Sequence, residues 1–331
     1  MKTNRMLYPI GSAVIAPAML AGTILLTGSC ALGGQRADTS FDASVAHPAY
    51  EGAVRPRVTI DEAHRNFHTA GGRYKPFADL VTQDGYRVKA GRDTFTHEAL
   101  RATDVLVISN AMGPDEHRDS AAFTPGEVRA VREWVEGGGS LLLIADHWPM
   151  GGASAKLSEA FGVDMSQGVT EDTVHCALST DGSGRKEPTT LSFTRENHLL
   201  LDHPVTSGRR PDERVGSVET FTGQSLGVPP GATAFLRLGS TASDRKPGTP
   251  RLEKRGGDTV LTMEYGDPEN ASGRAQGVAL PFGKGRVVVL GEAAMMTAQI
   301  SGDGHPFGMN VPGNDDKKLA LNILHWLSRL D

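Results

Sequence analysis

The sequence predicts an α/β protein: a doubly wound, mostly parallel sheet with a β-rich insertion and a C-terminal hairpin plus helix. Three observations predict it. Short apolar runs alternate with amphipathic helical stretches between residues 53 and 165, a rhythm that implies right-handed β-α-β crossovers. Two of those runs, around Val105–Ile108 and Leu141–Ala145, are almost wholly apolar, as strands are when helices cover both faces. Near the end, Phe282-Gly283-Lys284-Gly285 reads as a hairpin turn into a strand from Arg286 to Leu290.

The elements follow in order. Val54 to Ile60 is the first strand, and Tyr74 to Gln83 carries Phe77, Leu80 and Val81 on one helical face before Asp84-Gly85 stops it. Tyr86 to Val88 is a short strand, and Thr96 can cap a brief helix to Arg101. After the Asp104–Ser109 strand, Thr124-Pro125-Gly126-Glu127 has the capping threonine, first-turn proline and third-position acid of a helix start. Val128, Val131, Trp134 and Val135 continue that helix, and Gly137-Gly138-Gly139 ends it. Ala153 to Phe161 is the next helix, with a short strand near Val163. Residues 166–251 are looser and β-rich, with strands expected at 190–193, 215–220 and 233–238. Strands at 259–264 and 276–281 precede the hairpin, and a broadly apolar helix from Asn314 to Leu330 is expected to lie buried on the sheet.

Hydrophobic residues at 38% and charged residues at 22% fit an ordinary globular chain. A net charge of −5 without a long basic stretch argues against a nucleic-acid partner. Residues 1–30 read as an export signal: Lys2 and Arg5, an apolar run from Ile10 to Leu26 broken by Pro17, then Thr27-Gly28-Ser29 before Cys30. The end is lipobox-like, which makes Cys30 the lipidated first residue of a bacterial envelope lipoprotein, exported and held to the membrane by its lipid. Thr27 stands where an aliphatic residue is usual, so cleavage near Ala31 and a retained anchor are the alternatives. Residues 31–52 read as a flexible tether, and 53–331 as one domain. The other cysteine, Cys176, leaves no internal disulfide, and its neighbour His175 would face away from it on a strand.

In open parallel sheets ligands bind outside the carboxyl ends of the strands. Four predicted strands end in polar residues there: Asp61, Glu62, His64 and His68; Ser109 and Asn110; Asp146 and His147; and Glu292. Asp61, Glu62, His64, Asp146, His147 and Glu292 are the candidate acid/base groups. His68, Asn110, His305 and Asn310 are candidate ligand contacts, the last two on a Gly/Pro-shaped loop that can cover the crevice. The structural alternative is that Asp61, Asp146 and Glu292 cap the turns that follow them. No cofactor is expected, with a divalent metal on the histidines and carboxylates as the open alternative, although no established zinc motif is present. A serine or cysteine nucleophile elbow is disfavoured, because Asp146-His147-Trp148-Pro149 occupies its place.

The strand-end Asp61-Glu62, the Asp146-His147 after Leu-Leu-Leu-Ile-Ala, the Gly283-to-Glu292 hairpin and the closing Asn322-Ile-Leu-His-Trp-Leu helix resemble the class I glutamine amidotransferase-like superfamily. Within it they resemble the exported branch near GIFT-type and trehalose-utilisation-type domains, over residues 54–165 and 259–330. The resemblance implies a flavodoxin-like core. It does not bring glutamine hydrolysis, since the nucleophilic cysteine and the His-x-Glu pair of true amidotransferases have no counterpart here. Two functions stay open: a hydrolase of a small polar or carbohydrate-like ligand, and a binding or scaffold module without catalysis.

Overall fold

The computed structural model describes residues 5–7, 34–114, 120–178, 184–249, 251–255 and 258–330. Cys30 and nearly all of the expected export signal lie outside the described residues. The core is a seven-stranded sheet. Its parallel strands are β1 (Arg57–Asp61), β2 (Arg87–Gly91), β3 (Val105–Ser109) and β4 (Ser140–Ile144), with helices α1 (Lys75–Gln83), α2 (Pro125–Glu136) and α3 (Met150–Glu159) between and after them. The insertion follows, and it sends β5 (Thr233–Arg237) to the sheet edge. The hairpin β6 (Ala275–Phe282) and β7 (Gly285–Leu290) and the closing helix α4 (Asp316–Leu327) complete the domain.

Across the sheet the order is β5-β6-β7-β4-β3-β1-β2. β7 pairs parallel with β4, whereas β6 and β5 run antiparallel. The five parallel strands therefore follow the second-first-third-fourth-fifth order of a flavodoxin-like fold, whose direction switch lies between β1 and β3. Alternation along the strands builds two cores. Val58, Ile60, Val107, Leu142 and Leu290 pack under α1 and α4; Leu106, Ile108, Leu141, Leu143 and Val289 pack under α2 and α3. The expected capping box is present: Thr124 Oγ1 accepts from Glu127 N, and the Glu127 carboxylate accepts from Thr124 N.

The insertion folds as small antiparallel sheets, one of Cys176–Leu178, Lys186–Thr194 and Ser217–Glu219 and one of Val169–Asp172, Ala242–Arg245 and Glu269–Asn270. Four expectations need correction. The first strand begins at Arg57, with Val54 exposed, and Val163 is not in a strand, although Met165 bridges to Leu226. Asp258–Glu264 pairs with Arg251–Arg255 and Arg5–Leu7, outside the main sheet. The expected tether is docked from residue 34 onward. Phe41, Val45 and Tyr50 pack on the core, Lys317 Nζ donates to Asp42 O and Ser44 O, and Tyr50 Oη donates to Ser328 Oγ. Small and polar composition suggested freedom, but most of the polar contacts here are made by backbone, which composition does not report.

That docking needs Gly85. The residue closes α1 at φ +96°, and an added Cβ would stand 2.0 Å from Tyr50 O. Gly85→Ala is expected to lower stability in urea unfolding by about 2 kcal/mol or more, combining left-handed strain with loss of the Tyr50 contact. An unchanged midpoint would contradict this placement of the segment.

Candidate functional site

The four parallel strand ends share one edge, as the topology requires. Loops stitch it shut. The loop after β1 and the loop after β3 bond to each other through Phe67 N to Asn110 O at 2.9 Å and Met112 N to His64 O at 3.0 Å. Two separate polar networks lie beneath.

In the first, His64 is clasped between two acids. Its Nδ1 lies 2.9 Å from Asp61 Oδ2, and its Nε2 lies 2.9 Å from Glu127 Oε1. Asn66 Nδ2 donates to Asp61, and Phe95 and Phe123 pack on the imidazole. Burial alone would lower the His64 pKa, but Asp61 and Glu127 outweigh it and raise it. For Glu127, burial works against ionisation, yet hydrogen bonds from His64, Thr124 and Phe95 hold it at about 2. Both ring nitrogens are occupied, so this group supports the edge and has no lone pair to offer a metal or substrate.

The second network joins β3, β4 and β7. Asn110, at φ +47°, uses a left-handed conformation that asparagine tolerates and turns its side chain onto Asp146. Asn110 Nδ2 donates to Asp146 Oδ2 at 2.6 Å, and Asp146 N donates to Asn110 Oδ1 at 2.9 Å. Asp146 Oδ1 is sealed from solvent, with no hydrogen-bond partner among the described residues. Glu292 accepts from Ala294 N at 2.5 Å and Met295 N at 2.9 Å, capping the tight turn that follows β7. Burial raises Asp146 to about 7, opposed by Asn110 and the Ala293 backbone. Burial and the charge of Asp146 raise Glu292 to about 8. Each group thus keeps its proton to higher pH than a free carboxyl, through burial and, for Glu292, the neighbouring Asp146 charge. Tyr74 donates to Ala293 O above them, and His68 stacks on Tyr74 with its Nδ1 3.2 Å from Ser109 Oγ. Burial and Arg73 lower His68 to about 3, so it is neutral.

The remaining candidates lie apart from these networks. Glu62 accepts from Ala70 N and faces Arg92 at the rim. His147 Nδ1 donates to Trp148 O, and burial lowers its pKa. His305 lines a neighbouring cleft, and Asn310 binds the N-terminal segment. Cys176 is half-buried with its thiol pKa raised by burial, and His175 turns to Asp172. Among the described residues, no group of three or more His, Cys, Asp or Glu is arranged to hold a metal ion.

Sequence reasoning missed Tyr74, Asp316 and the second partner of Glu127. The segment Phe221-Thr222-Gly223-Gln224 ends a strand in the sequence and does approach the site, though its partner is not legible there. The capping box accounts for Glu127 locally and so conceals its second partner, His64. Gln224 Nε2 ties Ala145 O and Asp146 O to the insertion, a contact between distant segments that no local pattern signals. Asp316, fully buried in the first turn of α4, accepts from Glu219 N, and burial raises its pKa well above the carboxyl range.

Fold and site together define a flavodoxin-like α/β domain with a closed, acid-rich sheet edge. One solved structure supports the fold, and two others align more loosely. The N-terminal domain of mmIFT52 superposes at TM-score 0.53 and 14% identity, covering 82% of this chain and 97% of that one. A protein described as ThuA-like from Bacteroides uniformis aligns at TM-score 0.39 and 14% identity over 86% of this chain and 93% of its own. A protein from Thermoplasma acidophilum, described as a GMP synthase component, aligns at TM-score 0.41 and 10% identity over 84% and 97%. These likenesses concern architecture alone. No protein-family model and no curated protein matches the sequence.

The acid pair makes a prediction about pH. Unfolded, the two carboxyls titrate at 3.8 and 4.5; folded, they keep a proton to about 7 and about 8. The native state binds more protons across that window, so this contribution is full below it and lost as pH rises through it. Asp146→Asn removes one titrating group and the charge beside Glu292. Urea unfolding at about pH 5 and about pH 8 is expected to show a smaller loss of stability for the variant than for the wild type. Equal losses would show that the two carboxyls do not keep their protons to higher pH.

Proposed function

We propose that this chain is an exported, envelope-held amidotransferase-like domain that works as a binding module for a small, polar, carbohydrate-like ligand. The observation that carries this reading is a cleft of about 290 Å³ beside the closed edge. Glu219 to Thr222 and Arg185 to Thr190 form one side. The other is the turn and second strand of a two-stranded ribbon, Ser301 to Gly308, whose first strand, Ala298–Ile300, lies behind them. Phe221 and Phe307 stack there with ring centroids 4.6 Å apart. Arg185, Glu187, Asp303 and His305 supply polar groups of both signs around the rings. An aromatic face with convergent hydrogen-bonding groups suits the apolar face and hydroxyl rim of a sugar ring. Glu219, at the floor of the cleft, has its pKa raised by burial.

One observation favours a second reading, hydrolysis. Asp146 and Glu292 are two acids with raised pKa values, and the Phe221 backbone of the cleft hydrogen-bonds to Glu292. In that reading they act as acid and base on a ligand held by Phe221.

Calorimetric titration with neutral monosaccharides and cell-wall glycan fragments separates the two. Binding is expected, weakened roughly tenfold or more by Phe221→Ala and unaltered by Asp146→Asn, with no turnover. No binding by any glycan would end the binding reading. Turnover abolished by Asp146→Asn would establish the hydrolase.

Envelope attachment rests on Cys30, and among the described residues no helix is long and apolar enough to cross a membrane. Expressed with its leader in a bacterium, the wild type is expected in the detergent-soluble membrane fraction and Cys30→Ser in the aqueous fraction. A Cys30→Ser variant that still partitions with membranes would refute lipid anchoring.

A further inference from the structure

The segment that leads into the domain is bound to the same ribbon that walls the cleft. Arg36–Ala37 adds a third strand to it, with Ala37 opposite Gln299 and Arg36 opposite Ile300. Asp38 N donates to Ala298 O at 3.0 Å. Asn310 Nδ2 donates both to Asp38 Oδ2 at 2.9 Å and to Gln299 O at 3.0 Å, so one amide clamps the segment to the strand. Arg73 Nε, from the loop leading into α1, donates to Gln35 O at 3.1 Å and fixes the outer end. The ribbon's own turn, residues 301–305, brings Ser301, Asp303 and His305 to the cleft.

A ribbon of two three-residue strands is marginal by itself, since isolated two-stranded hairpins are barely stable in water. Gly308 packs it tightly at its base: at φ +89° an added Cβ would lie 2.0 Å from Thr297 O. Beyond that base the first strand is flanked by the N-terminal segment at Gln299 and Ile300, and the second by Phe221 stacked on Phe307.

We infer that residues 35–38 are a strap that positions the ribbon walling the cleft, with Asp38 and Asn310 as the positioning residues. The link to a ligand rests on the cleft being the binding site proposed above; the link to the wall does not. By reciprocity, whatever loosens the strap weakens ligand binding, and ligand in the cleft tightens the strap. The strap also shortens the leash. If Cys30 carries lipid, residues 31–35 alone separate it from the strand pairing, a reach of at most about 18 Å at about 3.5 Å per residue. A pull or displacement at the anchor is then delivered to the cleft wall.

Hydrogen exchange on the full chain tests the inference in Asn310→Ala and Asp38→Ala. Both variants are expected to speed exchange of amides 298–308 by roughly tenfold, while β1, β3 and β4 keep wild-type protection. Monosaccharide affinity is expected to fall in the same variants, although neither side chain lines the cleft. Unchanged exchange at 298–308 would overturn the proposal. So would an equal rise throughout the core strands, which would mark a general loss of stability. If the wild type binds no sugar, the cleft reading fails, and the exchange pattern still decides whether the strap holds the wall.

Discussion

The parallel pairing of β7 with β4 is the constraint on which the rest of this site depends. It sets Leu290 beside Ile144, and so carries Glu292 to the edge where Asp146 emerges. Burial and the charge of Asp146 make it costly to ionise both acids there, so both pKa values are raised. Glu292 in turn binds the N–H groups of Ala294 and Met295, which fixes the tight turn after β7. The ribbon at 298–308 starts from that turn, walls the cleft and receives the N-terminal segment. One strand pairing thus places the acid pair, the turn, the ribbon and the cleft in sequence.

Electrostatics explains why the strand-end residues close the edge instead of opening it. A buried imidazole with an acid at each nitrogen has both ring nitrogens satisfied, and removing either partner would leave a buried polar group unpaired. Asp61, His64 and Glu127 therefore lock the loop after β1 onto α2. Asn110 does similar work between β3 and β4. A flavodoxin-like sheet offers its switch point between β1 and β3 to a ligand, and here the chain's own loop fills it with His64, Asn66 and His68. The open volume lies further along the same edge, where the insertion meets the ribbon.

Much of the architecture was legible because it is local. Apolar alternation marked the parallel strands, the Thr124–Glu127 capping box marked α2, and Gly283-Lys284 marked the hairpin. The edge itself followed from strand ends in a parallel sheet, where Asn110 bonds to Asp146 and the Asp146 charge reaches Glu292. What the sequence hid is nonlocal. Asp258–Glu264 has strand-like composition whichever partner it takes, so its place outside the main sheet depends on distant pairing. The docked segment at 34–52 looked free because its Gly, Ser and Asp residues are those of linkers, whereas its hold on the domain is largely backbone. His64 looked like a candidate base because its second acid lies 63 residues away on α2.

Amide chemical-shift mapping during titration with a bound monosaccharide tests the central claim most directly. The account predicts shifts at 185–190, 219–222 and 301–308, extending to the strap at 35–38, with residues 61–68, Asn110 and Asp146 silent. Shifts centred on 61–68 and Asp146 would show that the strand-end residues receive the ligand, and would contradict it.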